Sequence, residues 1–250
     1  MSRELEGKIA LITGAARGIG LAIGRALAEA GCAVAIQDID LAEATKQVER
    51  IKSDGHRALA LGGDISDMSL PRQLVDQTAA ELGGLHILVN NAAIQKNQDW
   101  KQRSLEDFDR TFHANVAAPM LLAQLAAPIF IRQRWGRIIN IGSCQQLSGN
   151  PQMLDYSMAK SALATMTQGM AKDLGPHNIT VNCIAPGYFD TLRNAHHFKS
   201  EQDKVKRAEH YPLRRLGQPE DCVGLALLLC SEAGSYITGQ SIFVDGGIDL

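Results

Sequence analysis

Short apolar runs alternate with amphipathic segments along nearly the whole chain, and this alternation is what most constrains its fold. Strands separated by helices of about ten to fifteen residues form βαβ units and a parallel sheet. We therefore predict an α/β fold in which a doubly wound parallel sheet of about seven strands carries helices on both faces. We find no linker or repeat, so residues 1–250 are expected to form one domain. The apolar runs lie at 8–12, 32–37, 57–61, 85–89, 136–141, 178–184 and 241–244.

The first apolar run ends in a glycine-rich junction, residues 13–20, and a helical pattern follows it. Glycines let the backbone turn tightly and approach a pyrophosphate, which then lies at the positive end of the helix. An ordinary βα turn rich in glycine is the alternative, but a strand, a glycine turn and a helix in succession favour nucleotide binding of the Rossmann type. The predicted cofactor contacts here are Gly14, Arg17, Gly18, Ile19 and Gly20.

The second apolar run ends in Asp38, about 20 residues after the glycine turn, where an acidic residue can accept hydrogen bonds from a ribose. Its charge would repel a 2′-phosphate, so Asp38 favours NAD over NADP. A helix-capping role is the alternative, although Asp40 nearby is also a good cap. Arg17 points weakly the other way, because a basic residue there could reach a 2′-phosphate. NAD is the predicted cofactor, and NADP is not excluded.

Tyr156 precedes Lys160 by four residues inside a predicted helix, so the phenol and the ammonium share one helical face. The ordinary pKa of a tyrosine is near ~10, and a fixed positive neighbour lowers it by favouring the phenolate. The pair is therefore a candidate acid/base device, although such a pair alone is more often two surface side chains.

Taken together, the motifs resemble those of the short-chain dehydrogenase/reductase family over nearly the whole chain. The resemblance rests on the combination, order and spacing of motifs that are individually weak. They are Thr13-Gly14-x-x-x-Gly18-x-Gly20, Asn90-Asn91-Ala92, Asn115, Ser143, Tyr156-x-x-x-Lys160 and Pro186-Gly187. The family usually has glycine where Ala93 stands, so the loop there must accept a methyl group.

The resemblance implies four catalytic roles. Tyr156 would be the general acid/base, and Lys160 would assist it and hold the nicotinamide ribose. Ser143 would hydrogen-bond the same substrate oxygen. Asn115 would bind a water that links Lys160 to solvent.

The resemblance also implies cofactor contacts beyond the glycine turn. Asp64 and Ile65 would flank the adenine, Asn90 would shape the cleft, and Thr191 would contact the nicotinamide side. The further contacts are Ile39, Ala92, Tyr156, Lys160, Pro186, Gly187 and Phe189.

The composition limits the classes of binding partner that we expect. The net charge is −2 with no basic block, so nucleic acid and anionic membranes are not expected to be partners. The five cysteines form no metal-ligand pattern, and no metal is predicted. We see no apolar signal region and no apolar run near the ~20 residues of a membrane span, so a cytoplasmic protein is expected.

The longest predicted helix runs from Ser104 to about Arg134, with Pro119 and Pro128 expected to bend or split it. A homotetramer is expected from the resemblance.

The identity of the substrate is the property that the sequence constrains least. Residues 188–215 show no clear periodicity and are predicted to form a substrate loop or lid. The run at 185–189 resembles sugar-acid and polyol dehydrogenases such as gluconate 5-dehydrogenases, so a secondary alcohol or ketone of a sugar, sugar acid or polyol is expected. An NADPH-dependent 3-oxoacyl thioester reductase and a non-catalytic dinucleotide-binding protein are the alternatives. Candidate substrate contacts are Gln95, Gln145, Gln146, Asn150, Arg193 and His197.

Overall fold

The computed structural model describes residues 4–191 and 200–248, and within them seven parallel strands form one sheet. The strand order is β3-β2-β1-β4-β5-β6-β7. The predicted doubly wound parallel sheet is confirmed. The strands are β1 (Ile9–Thr13), β2 (Ala33–Asp38), β3 (Ala58–Gly62), β4 (Ile87–Asn90), β5 (Gly136–Ile141), β6 (Ile179–Pro186) and β7 (Ser241–Val244).

Helices cover both faces of the sheet, so the central strands are buried on both sides. Ile23 and Leu27 of α1, Val48 of α2 and Leu229 of α8 pack in the core of one face. Leu74 of α3, Phe130 of α5 and Leu174 of α6 pack in the other. The helices are α1 (Gly18–Glu29), α2 (Leu41–Ser53), α3 (Leu70–Leu82), α4 (Leu105–Phe112), α5 (Ala118–Gln133), α6 (Leu154–Leu174), α7 (Glu201–Ala208) and α8 (Val223–Cys230).

The register of the sheet brings the polar strand ends together. Thr13 of β1 pairs with Gln37 of β2, and Asn90 of β4 pairs with Asn140 of β5. The strand order reverses between β1 and β4, and ligands of such sheets bind beyond the carboxyl ends of the strands at that crevice. The candidate site residues at these strand ends therefore share one edge.

Several helix boundaries differ from those expected. The helix predicted from Ser104 to Arg134 is interrupted by a π-helical turn, His113–Ala117, rather than broken at a proline. Pro119 lies in the first turn of α5, directly after the π-helical turn, and Pro128 lies inside α5. The segment 188–215 is not wholly irregular, because α7 lies within it.

The helical run Leu105–Gln133 contains an 18-residue window with a mean hydropathy of 1.7, so it could cross a membrane by length and composition alone. The expectation that no run approaches such a length therefore does not hold for this helix. Core helices of soluble proteins pass the same test, and 44% of the window is buried. Leu122, Ala126 and Phe130 of α5 are fully buried in the core, as expected of a core helix.

Candidate active site

The glycine junction forms a tight cradle at the end of β1. Gly14 and Gly18 have φ angles of +61° and +60°, which favour glycine. A Cβ on Gly14 would lie 2.7 Å from the Ala92 Cα, and one on Gly20 would lie 2.4 Å from the Asn91 Nδ2. The residue before α1, Arg17, makes no side-chain cap to that helix. The first turn of α1 thus fits a pyrophosphate, whose oxygens its N–H groups would hold.

Asn91 and Thr13 fasten this cradle to the end of β4. The Asn91 Nδ2 donates to the carbonyl oxygens of Thr13, at 2.9 Å, and Gly14, at 2.7 Å. The Thr13 hydroxyl accepts from the backbone N–H groups of Asn91 and Ala92, both at 3.1 Å. Asn91 was predicted only as part of the Asn90-Asn91-Ala92 motif, without a role of its own. Two adjacent asparagines after a strand were the only signal.

Asp38 also holds the glycine loop. Its carboxylate accepts hydrogen bonds from the backbone N–H groups of Ala16 at 3.0 Å and Asp40 at 3.1 Å. The alternative role of capping α2 belongs to Asp40, which accepts from the Glu43 N–H. Arg17 pairs with Asp40 at 2.6 Å, so its guanidinium is already next to a carboxylate.

A cleft of about 150 Å³ lies beside this loop, between the ends of β1, β2, β3 and β4. Burial acts to raise the pKa of Asp64, but hydrogen bonds from Ser66 and Arg110 outweigh it and the net shift is downward. Asp64 is therefore a fixed anion at the cleft wall. Ala93 also lines the cleft, without a positive φ, so its methyl group is accepted. The predicted cofactor contacts that line the cleft are Gly14, Asp38, Ile39, Asp64, Ile65 and Ala92.

A larger cavity of about 590 Å³ opens where β5 and β6 end. It contains the side chains of Ser143 and Tyr156, both nearly buried. The Ser143 Oγ accepts from the Gln145 N–H at 3.2 Å, which fixes the hydroxyl at the start of a short 3₁₀ turn. Predicted residues that line the cavity are Ile19, Gln95, Ser143, Gln145, Asn150, Tyr156, Pro186, Gly187, Phe189 and Thr191.

Lys160 lies behind Tyr156 on α6. Its Nζ is 5.5 Å from the centroid of the Tyr156 ring and donates to the carbonyl oxygen of Ile141 at 2.7 Å. Lys160 is 2% exposed, so little solvent screens its charge. An ammonium held this close to a phenol favours the phenolate by electrostatic attraction. The arrangement can therefore take up and release a proton at the Tyr156 hydroxyl.

Asn115 lies in the π-helical turn between α4 and α5. Its Nδ2 donates to the carbonyl oxygens of Ile94 and Thr111, both at 2.8 Å. Its Oδ1 is buried and has no hydrogen-bond partner among the described residues. A buried acceptor of this kind is costly unless it is satisfied, and it is available to a water molecule, as the predicted relay requires.

Some predicted residues lie elsewhere. The Asn90 side chain donates to the Asn140 Oδ1 at 2.9 Å, so it links β4 to β5 inside the protein rather than lining either cavity. The Gln146 Nε2 bonds the Ser241 hydroxyl at 3.2 Å and does not line the cavity. Arg193 and His197 lie outside the described residues.

A buried ion pair supports the catalytic helix from the side. Arg103 pairs with Asp155, the residue before Tyr156, and each side chain is 7% exposed. The Arg103 Nε donates to the Asp155 Oδ2 at 2.8 Å, and another guanidinium nitrogen donates to the Thr111 hydroxyl at 3.2 Å. This pair was not predicted from the sequence.

The helix α7 forms part of the cavity wall. Lys204 bonds the Asp190 carboxylate at 3.0 Å, which ties α7 to the segment after β6. Arg207 lines the cavity and lies over the Tyr188 ring, with 5.2 Å between its Cζ and the ring centroid. Burial raises the pKa of Tyr188 to about 12, so its hydroxyl stays neutral. Neither residue was predicted as a contact, because nothing in the sequence separates Arg207 from the other surface charges of α7.

Comparisons with known proteins agree with this geometry. Residues 14–249 match a family model described as enoyl-(acyl carrier protein) reductase. A 3-oxoacyl-[acyl-carrier-protein] reductase of Aquifex aeolicus is 37% identical, over 99% of this chain and 100% of the relative. A 2-dehydro-3-deoxy-D-gluconate 5-dehydrogenase of Dickeya dadantii is 38% identical, over 98% of this chain and 96% of the relative.

Among solved structures, a gluconate 5-dehydrogenase of Burkholderia cenocepacia, in complex with NADP and tartrate, is similar with a TM-score of 0.92. It is 34% identical, and the match covers 99% of this chain and 97% of that one. These likenesses span the whole fold, including the glycine loop and the Tyr–Lys helix. The chain therefore belongs to the short-chain dehydrogenase/reductase family and is an oxidoreductase that acts on CH–OH groups with a nicotinamide dinucleotide.

Proposed function

We propose that this oxidoreductase acts on the secondary alcohol or ketone of a sugar, sugar acid or polyol, with NAD as its cofactor. The observation that carries the proposal is the polar wall of the cavity beside Ser143 and Tyr156. Three amide side chains that line it are those of Gln95, Gln145 and Asn150. Amide groups donate and accept hydrogen bonds, which suits a hydroxylated ligand better than an apolar one. The sugar-acid dehydrogenases among the relatives support the same class.

Each of the four catalytic residues has a separate role in moving the proton. The nicotinamide, when bound, supplies or accepts the hydride. Tyr156 gives a proton to the substrate oxygen in reduction and takes it in oxidation. Ser143 hydrogen-bonds that same oxygen as its charge develops, and Lys160 stabilises the phenolate. Asn115, through its buried Oδ1, holds the water that passes the proton onward.

Asp38 is the basis for preferring NAD. A carboxylate has about four acceptor positions, and backbone N–H groups occupy two of those on Asp38. The remainder can accept from ribose hydroxyls, whereas a 2′-phosphate would meet a negative charge. Arg17, the one basic residue of the loop, is paired with Asp40. Cofactor titration tests this preference: we expect NADH to bind more tightly than NADPH, and the reverse order would contradict it.

A 3-oxoacyl thioester reductase that uses NADPH is the second candidate, because a relative of that name is 37% identical. The NADP in the solved gluconate 5-dehydrogenase supports only the NADP part of this alternative. Turnover assays separate the two. We expect oxidation of aldonates or polyols with NAD, and no more than slow reduction of acetoacetyl thioesters. Fast thioester reduction without any sugar turnover would refute the sugar assignment.

A non-catalytic dinucleotide-binding role is the third possibility. We expect Tyr156→Phe to abolish turnover and to leave cofactor binding nearly unchanged. Unaltered turnover would show that the acid/base role is misassigned.

We further propose a cytoplasmic homotetramer with a small-molecule substrate and with neither nucleic acid nor membrane as a partner. The net charge of −2 supports the absence of nucleic-acid and anionic-membrane partners, and the buried residues of α5 support a core helix rather than a membrane span. The tetramer rests on the family resemblance alone. Sedimentation analysis tests the tetramer, and a monomer at micromolar concentration would contradict it.

A further inference from the structure

The large cavity is lined mainly by uncharged side chains. Among the described residues that line it, Arg207 is the only one that carries a full charge at neutral pH. The other described side chains that line it are amides, hydroxyls, thioether and thiol sulfurs, and apolar groups, with no carboxylate among them. A ligand in this cavity therefore meets one cation, Arg207, and no carboxylate among the lining residues that the structure describes.

Arg207 has no carboxylate partner within the described part of the chain. Asp190, in the segment after β6, bonds Lys204 at 3.0 Å, and Lys204 also bonds Glu201. The guanidinium instead lies over the face of the Tyr188 ring. Stacking on an aromatic ring holds the guanidinium plane while leaving its N–H groups at the edge free to bind an anion.

We propose that Arg207 binds a carboxylate of the substrate, so that the site selects sugar acids over neutral sugars and polyols. This inference rests on the proposed function, which it narrows to one substrate class. A guanidinium can bind a carboxylate through two parallel hydrogen bonds, and this geometry fixes orientation as well as charge. The carboxylate end of the substrate lies at α7, and the reacting carbon lies at Ser143 and Tyr156.

The test compares Arg207→Gln with a matched control, Lys206→Gln. Lys206 is an exposed cation on the same helix that does not line the cavity, so both variants lose one positive charge from α7. Each protein is saturated with dinucleotide and titrated calorimetrically with an aldonate and with the polyol of the same carbon number. KM values for both ligands are measured in parallel.

We expect Arg207→Gln to weaken aldonate binding and raise its KM by about 10- to 100-fold, the range for a lost charge-assisted hydrogen bond. Polyol binding should change by less than about 3-fold, and Lys206→Gln should leave both ligands nearly unchanged. Arg207→Lys should restore part of the aldonate affinity, because it keeps the charge without the two-pronged geometry.

Three outcomes would overturn the inference. They are an equal loss for aldonate and polyol, no loss for either, or a loss of dinucleotide affinity instead, which would place Arg207 at the cofactor. Aldonate binding that depends on Arg207, without turnover of any sugar or sugar acid, would retain the inference while refuting the proposed function. Wild-type protein that binds neither ligand would refute both.

Discussion

Removing Arg103 should destabilise the protein strongly, because it would leave the Asp155 carboxylate buried without its partner. Both side chains are 7% exposed, and the guanidinium also bonds Thr111. Breaking a buried ion pair by deleting one partner costs about 3–5 kcal/mol. For Arg103→Met, we expect a loss of unfolding free energy of about 3 kcal/mol. In a chain of this length, that loss corresponds to a fall in Tm of about 6–12 °C.

The double variant Arg103→Met, Asp155→Leu separates the charge from the packing. Replacing a buried ion pair by apolar side chains is often nearly neutral, so the double variant should recover most of the lost stability. The assay is urea denaturation of the wild type, Arg103→Met, Asp155→Leu and the double variant at one fixed protein concentration, because assembly would shift apparent stability. A single-variant cost below about 1 kcal/mol, or a double variant that shows the sum of the single losses, would refute the reasoning.

Two further predictions concern the loops around the sheet. Gly14→Ala should weaken NADH binding at least about 10-fold and destabilise the fold, because its Cβ would lie 2.7 Å from the Ala92 Cα at a φ of +61°. Gly55→Ala, at a φ of +88° in open space, is the control, and equal losses in the two variants by fluorescence titration and denaturation would contradict the steric argument. Burial and the nearby Lys8 lower the pKa of His86, whose neutral ring accepts from the Ile9 N–H at 3.2 Å. As the pH falls, the unfolded chain therefore takes up the proton before the folded protein does. His86 should stabilise the fold fully above pH 6.5 and progressively less below it. We expect His86→Gln to flatten the pH dependence of the unfolding free energy in that range, as measured by denaturation.

The features predicted from the sequence are those that local rules determine. The period of the apolar residues gives the strands, and a glycine turn between a strand and a helix gives the phosphate loop. Asp38 could be placed beside that loop because adjacent parallel strands end at one edge. Its bonds to the backbone of Ala16 and Asp40 were not foreseen, since they depend on the conformation of the loop itself.

The features that were missed depend on side chains far apart in the sequence. Arg103 and Asp155 are 52 positions apart, and they meet because α4, which begins just after Arg103, packs against α6. The π-helical turn at Asn115 carries no composition signal, so the continuous apolar pattern was assigned to one helix. Arg207 was overlooked because its own helix was not predicted, and its place at the cavity depends on the tie between Lys204 and Asp190.

The helix α7, held to the segment after β6 by the bond between Lys204 and Asp190, is peripheral to the rest of the fold. The helix α7 has no buried residue, its Val205 is 61% exposed, and no residue of α7 belongs to either hydrophobic core. Substitutions on such a surface usually alter folding free energy by less than about 0.5 kcal/mol. With Arg207 in its proposed role, substrate selectivity can change through side chains of this one peripheral helix, with little effect on stability or on the residues around Tyr156.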